Sequence, residues 1–270
     1  MPSNRPDARE LRILALGDVI GKPGRQALAR RLPAIVTETG ASLVVVNGEN
    51  AAGGLGLTRE TAEELLALPV DVITTGNHIW KHKEIQAFLG REPRVIRPAN
   101  YPEGTPGRGW TLARSTRGFA VAVVNLQGLL FISPLPCPFR TIDSLLGEIR
   151  SQASLILVDF HAEATSEKRA MGHYLDGRVT ALWGTHTHVP TADAELLPGG
   201  TGYLTDLGMC GPIDSVIGVQ KEPAIQRFLS ALPHPFQVAT GRVVIQGALI
   251  SAQADTGRCL GIEQRTWQVD

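Results

Sequence analysis

Short apolar runs alternate along the first part of the chain with longer stretches whose apolar residues recur every three or four positions. Leu11 to Leu16 (LRILAL) reads as a buried strand. From Pro23 to Thr39, apolar Ala27, Leu28, Leu32, Ile35 and Val36 mark one face of an amphipathic helix, with Pro33 as a point of bending. Leu43 to Val46 (LVVV) is a second strand, and Thr58 is placed to cap a helix over Glu60 to Leu68. Val70 to Thr74 is a third strand. Strand, helix, strand, helix, strand predicts right-handed βαβ units and a largely parallel sheet.

The middle of the chain is less regular. Arg97 to Gly109 (RPANYPEGTPGRG) is a loop by its Pro and Gly content, and Phe119 to Asn125 is a strand. Leu129 to Phe139 carries three prolines and reads as an excursion, followed by a helix over Thr141 to Arg150. Leu155 to Phe160 and Val179 to Trp183 are further strands, with a helix near Ser166 to Tyr174 between them. The last third holds a helix near Pro223 to Leu229 and two antiparallel strands, Arg242 to Ser251 and Arg258 to Gln268. No repeat or linker interrupts the pattern, so residues 11–270 read as one domain behind a flexible tail at 1–10.

Chemistry enters where the strands end. Gly17-Asp18 follows the first, Asn47-Gly48-Glu49-Asn50 the second, and Gly76-Asn77-His78 the third. Asp159-Phe160-His161-Ala162-Glu163 and Gly184-Thr185-His186-Thr187-His188 follow two later ones. Open α/β sheets bind ligands outside the carboxyl ends of their strands, where distant loops converge. Of the seven histidines, four stand at these ends: His78, His161, His186 and His188. Carboxylate, amide and imidazole together suit Mn, Fe or Zn. Each piece alone has a plainer structural reading: Asp18 as a helix cap, Glu49 and Asn50 as turn residues, His161 as a satisfied core histidine. The His186-Thr187-His188 spacing would put both imidazoles on one side of an extended segment. The conjunction at one sheet edge points to a metal centre.

Composition narrows the class. Lys plus Arg and Asp plus Glu are 26 each, which argues against wrapping a long nucleic acid but allows a small phosphate-bearing ligand. Cys137, Cys210 and Cys259 are widely spaced and form no CxxC pair, so neither a disulfide framework nor a thiolate zinc site is indicated. No apolar run approaches the roughly 20 residues that span a bilayer. The polar start MPSNRPDARE lacks a signal peptide's apolar segment, so the expected location is cytoplasmic.

The ordered set GD-x₂-G, NGEN, GNH, DFHAEAT and GTHTHV resembles the calcineurin-like metallophosphoesterases. It is closest to their YmdB-like bacterial branch of 2′,3′-cyclic-nucleotide phosphodiesterases. The resemblance runs from about Ile13 to Gly208 and includes RPANYPEGTPG and TSEK. It implies a layered α/β/β/α sandwich with mixed sheets and a dinuclear metal site at strand C-terminal ends. It also implies two divalent or trivalent ions per chain, Fe or Mn, with Zn as the alternative. Asp18 then resembles a ligand of the first metal, Glu49 a bridge between both, Asn77 the asparagine ligand of the GNH motif, and His161 and His186 ligands of the second. His188 resembles a further ligand of the first metal, and His78 the catalytic histidine. The wider superfamily has Asp-x-His in its first motif, whereas this chain has Ile20 at the histidine position. Asn50 is the implied replacement.

The chemistry expected of such a site is hydrolysis of a cyclic nucleotide by a metal-bridging hydroxide, with His78 as general acid toward the leaving alkoxide. Asp159 or Glu163 would orient a ligand histidine. Tyr101, Tyr174 and Phe139 are candidate base-stacking residues, and Arg97 and Lys168 candidate phosphate contacts. Competing readings are a phosphomonoesterase or protein phosphatase on the same core, a nucleotide-sensing regulatory protein, and a structural metal protein. The apolar excursion LLFISPLPCPF is either a cover over the site or a subunit contact, and the latter makes the chain a homo-oligomer.

Overall fold

The computed structural model describes residues 9–269. The expected tail therefore lies almost wholly outside the described residues, and Glu10 already pairs with Gln253 in a strand. In chain order the strands are β1 (Glu10–Leu16), β2 (Asp18–Val19), β3 (Leu43–Asn47), β4 (Val72–Thr74), β5 (Trp110–Arg114), β6 (Ala120–Gln127) and β7 (Leu155–His161). They continue as β8 (Ala181–Thr185), β9 (Glu195–Leu196), β10 (Gly202–Leu204), β11 (Met209–Pro212), β12 (Val243–Gln253) and β13 (Cys259–Val269). The α-helices are α1 (Gly21–Thr39), α2 (Arg59–Leu66), α3 (Ile85–Leu89), α4 (Pro138–Arg150), α5 (Thr165–Leu175) and α6 (Lys221–Ser230).

These strands form two mixed sheets. One runs β2-β11-β12-β1-β3-β4 with β13 paired to β12, and the other runs β5-β6-β7-β8-β10-β9. Each has a parallel heart made by helical crossovers: β1, β3 and β4 through α1 and α2, and β6, β7 and β8 through α4 and α5. The period-2 alternation of side chains explains how both sheets are covered on both faces. Leu14, Leu16, Val44 and Val46 pack under α1 and α2. The alternate residues Ile13, Ala15, Leu43 and Val45 meet Val121, Val123, Leu157 and Trp183 of the second sheet. That sheet's outer face, including Val124, Val158 and Phe160, packs under α4 and α5 through Ile142, Leu146 and Met171. The result is the expected α/β/β/α layering.

Several expectations from the pattern hold closely. Thr58 caps α2, accepting from Thr61 N–H, while the Thr58 backbone N–H donates in return to the Thr61 hydroxyl. Helix α1 continues through Pro33. The expected parallel pairing of β1, β3 and β4 forms, within a mixed sheet in which β12 inserts antiparallel between β1 and β11. Strand β8 starts at Ala181, two residues later than the apolar run. Among the described residues no helix is long and apolar enough to cross a membrane.

Candidate metal centre

The two sheets are tied together at the carboxyl ends of their parallel strands by buried polar side chains. Asn47 Nδ2 (β3) and the Thr74 hydroxyl (β4) both donate to Asp159 Oδ2 (β7), and Thr75 N–H donates to Asn125 Oδ1 (β6). Hydrogen bonds in such a water-poor place fix relative position, because an unmade one costs about 1–3 kcal/mol. The loops that leave these strands then converge on one spot.

Glu49 lies at its centre, fully buried. Its Oε1 is 3.1 Å from His161 Nε2, 3.1 Å from His78 Nδ1 and 3.2 Å from Asn50 Nδ2. Its Oε2 accepts from the His78 backbone N–H at 3.2 Å. His161 Nε2 is also 3.0 Å from Asn77 Oδ1 and 3.0 Å from His186 Nδ1. Asn50 Nδ2 reaches His188 Nε2 at 3.1 Å, and that nitrogen is 3.6 Å from Asp18 Oδ1. Ligand atoms of Glu49, His161 and His186 all fall within 4.8 Å of one another. The structure thus brings together all eight residues expected from the strand ends. Gly76 shows how tightly: a Cβ there would lie 2.3 Å from both Glu49 Oε2 and His161 Nε2. Ile20 stays out, packed against Gly211 and Gly218.

The residues present fit a metal. Asp18 Oδ1 is buried and has no hydrogen-bond partner among the described residues, an orphan that a cation would satisfy. Each of three histidines commits one ring nitrogen to the protein and turns the other inward. His161 Nδ1 meets the Thr185 hydroxyl at 2.9 Å, His188 Nδ1 meets the Ile217 carbonyl at 2.7 Å, and His186 Nε2 meets Glu163 Oε2 at 3.1 Å. Such outer partners orient metal-binding imidazoles. Electrostatics agree. Burial opposes charge on Glu49, yet His161 and His78 hold its carboxyl well below the usual range. Burial likewise opposes charge on His188, but Asp18 outweighs it and holds the imidazole up at about 9. Burial and the neighbouring His161 push His186 down to about 3, leaving it neutral. Two fully buried carboxylates are drawing positive charge inward, and cations answer that demand.

The His-Thr-His segment does not run as an extended strand. It follows the end of β8, and His186 (φ 98°) and His188 (φ 64°) both take positive φ. Non-glycine residues there cost about 1–3 kcal/mol each and persist only where the surroundings enforce them. Here His186 N–H donates to Asp18 Oδ2 at 3.1 Å, and Asp206 Oδ2 accepts from the Thr187 hydroxyl at 2.8 Å. Two turned backbones, not strand alternation, bring these imidazoles to the site.

Lys168 is a correction. It is fully buried with Nζ 2.6 Å from Asp206 Oδ2, so it braces the loop instead of reaching a phosphate. Gly184 makes room for its stem, since a Cβ there would sit 2.8 Å from Lys168 Cδ. Replacing Lys168 with methionine strands the buried Asp206 carboxylate. The expected loss is about 3–5 kcal/mol of folding stability, read by urea denaturation, and a change below about 1 kcal/mol would contradict the bracing role. Arg97 is also structural: its guanidinium donates to the carbonyls of Pro98, Thr105 and Pro106 in its own loop. Tyr174 packs on Phe139 across α5 and α4, whereas Tyr101 packs edge-on against Trp80, two residues from His78. Asn47, Thr74, Thr185 and Asp206 take no role from the sequence pattern alone; their signal is a polar residue at the end of an otherwise apolar run.

A family model described as YmdB-like protein matches residues 14–264. The chain belongs to this YmdB-like family. It is 46% identical over 254 residues to the 2′,3′-cyclic-nucleotide 2′-phosphodiesterase of Bacillus subtilis, covering 94% of this chain and 96% of that protein. Among solved structures, the YmdB-like chain resembles a hypothetical protein from Thermus thermophilus (TM-score 0.89, 44% identity, 96% of this chain and 100% of that one). It also resembles a Mycoplasma pneumoniae protein described as a novel phosphatase (TM-score 0.90, 33% identity, 97% and 94%).

Proposed function

We propose that this chain is a metal-dependent phosphodiesterase that opens 2′,3′-cyclic nucleotides to nucleoside monophosphates. The observation that carries the reading is the inward turn of His161, His186 and His188 onto two buried carboxylates, one with an orphan oxygen. The named activity of the Bacillus subtilis relative supplies the substrate class. Asp18, Asn50 and His188 would hold one ion, and Asn77, His161 and His186 the other, with Glu49 between them. Mixed oxygen and nitrogen donors without thiolate suit Mn or Fe, with Zn as the alternative. Bound there, such ions act as Lewis acids on phosphoryl oxygens and lower the pKa of water to near 7.

The chain's own residues supply the rest. His78 directs Nδ1 at the acceptors Asn50 Oδ1 (3.1 Å) and Glu49 Oε1 (3.1 Å), so Nδ1 keeps its hydrogen and the ring, in its doubly protonated form, would give the Nε2 proton to the leaving alkoxide. Its side chain is 34% exposed, unlike the fully buried His161, as a group that meets substrate requires. Asn77, the preceding residue, is anchored on His161 and sets the position of that backbone.

The expected result is hydrolysis of 2′,3′-cyclic nucleotides in preference to 3′,5′-cyclic nucleotides and phosphomonoesters. Chelator treatment should abolish it, and Mn or Fe should restore it. Preference for monoesters would favour a phosphatase on the same core. Metal binding without turnover on any of the panel would favour a sensor. The balanced charge of the chain supports a small ligand over long nucleic acid. Location in the cytoplasm and assembly into a homo-oligomer belong to the same proposal. The second is supported by exposed Leu130 and Phe131 in the excursion after β6, and by Phe228 and Leu229 on α6.

A further inference from the structure

Asp159 is the point where four strands meet, and the protons around it can be counted. The carboxylate is fully buried, and donors face both of its oxygens. Its Oδ2 accepts from Asn47 Nδ2 at 3.2 Å and from the Thr74 hydroxyl. Its Oδ1 accepts from the Thr185 hydroxyl at 2.7 Å. A threonine hydroxyl has a single proton, and Thr185 spends it on Asp159. The same oxygen lies 2.9 Å from His161 Nδ1. With its proton committed, that oxygen can only accept, so Nδ1 must carry the hydrogen. His161 Nε2, which faces Glu49, Asn77 and His186, is then the nitrogen left for a metal.

We infer that Thr185 is a positioning residue: a hydroxyl relay through which buried Asp159 sets the tautomer and ring orientation of His161 for metal binding. The inference rests on the proposed metal centre and deepens it. Carboxylates usually touch a ligand histidine directly, as Glu163 does with His186 here. At His161 the carboxylate lies two residues back on the same strand, β7, and its neighbour β8 supplies the missing hydroxyl: Asp159 pairs with Trp183 and His161 with Thr185. The relay also joins the sheets, because the donors that hold Asp159 in its acceptor state come from β3 and β4. Orientation of the ligand is therefore coupled to the packing of one sheet on the other.

The relay makes a distinction that packing alone does not. Thr185→Val keeps shape and β-branching but removes the hydroxyl, while Thr185→Ser keeps the hydroxyl and removes a methyl group. Chelator-stripped full-length protein would be titrated with Mn(II) and binding followed by calorimetry, with melting curves of the stripped forms as the fold control. The valine variant is expected to lose about 10- to 100-fold in Mn(II) affinity at one of two sites. The serine variant should stay within about twofold of the wild-type Mn(II) affinity. If Thr185→Val does not fold, Thr185→Ala gives the same comparison with space in place of the methyl. Wild-type affinity in the valine or alanine variant would overturn the relay, as would equal loss in the serine variant. Failure of the wild-type protein to bind Mn(II), Fe(II) or Zn(II) would instead overturn the metal centre itself.

Discussion

Removing the His78 imidazole by His78→Ala is expected to lower turnover of a 2′,3′-cyclic nucleotide by about 10²- to 10⁴-fold while leaving metal content unchanged. The two halves of that expectation have separate causes. A ribose alkoxide is a poor leaving group, and a positioned acid removes the need to expel it as an anion. The metal half follows from how Glu49 is held. The backbone N–H of residue 78, not its imidazole, donates to Glu49 Oε2, and that donor survives the substitution. His161 and Asn50 also keep their contacts with Oε1. A substrate that needs no acid provides the sharper measurement: a p-nitrophenyl diester should lose far less than the cyclic nucleotide. Equal losses on both substrates, or unchanged turnover on the cyclic one, would remove His78 from the acid role.

Much of the fold was legible because apolar periodicity marks buried strands and amphipathic helices whatever their partners. The strands β1, β3, β7, β12 and β13 and the helices α1, α4 and α5 fall within a few residues of where the pattern puts them. Pairing was less legible. A run such as Leu43–Val46 is buried on both faces, so its sequence says nothing about which sheet lies over which face. The insertion of β12 beside β1 is a contact between residues more than 230 positions apart, and no local signal reports it. The two-residue strands β2 and β9 are too short to show any period.

The site followed the same division. Residues that converge on the centre were legible as polar groups breaking out of apolar strands beside glycines. Those that orient them were not. Thr185 and Thr74 are β-branched residues in strands, where threonine is ordinary, and only the burial of Asp159 between them gives their hydroxyls a task. Lys168 misleads for a related reason: a lysine near a phosphate site suggests a ligand contact, and only the fold shows it walled in against Asp206. The Ile217 carbonyl that holds His188 is backbone, invisible in side-chain chemistry.

Glu49→Gln should weaken both metals together, which separates a bridging residue from an ordinary ligand. The substitution conserves size, so the wall formed with Gly76 and His161 stays filled. What changes is charge and one donor atom. Glutamine offers a single acceptor oxygen where glutamate offers two, and its NH₂ presents hydrogens where a cation would sit. Of the two fully buried carboxylates facing the cluster, only Asp18 remains. Elemental analysis should therefore find well under two ions per chain after dialysis, and turnover should fall at least as far as in the His78 variant. The contrasting control is His188→Ala, whose imidazole meets Asn50 and Asp18, the side of the cluster across Glu49 from Asn77, His161 and His186. It should empty one position and spare the other. Two ions per chain in Glu49→Gln would contradict the bridging role. Loss of a single ion would reduce Glu49 to a ligand of one metal and leave the second position to Asn77, His161 and His186 alone.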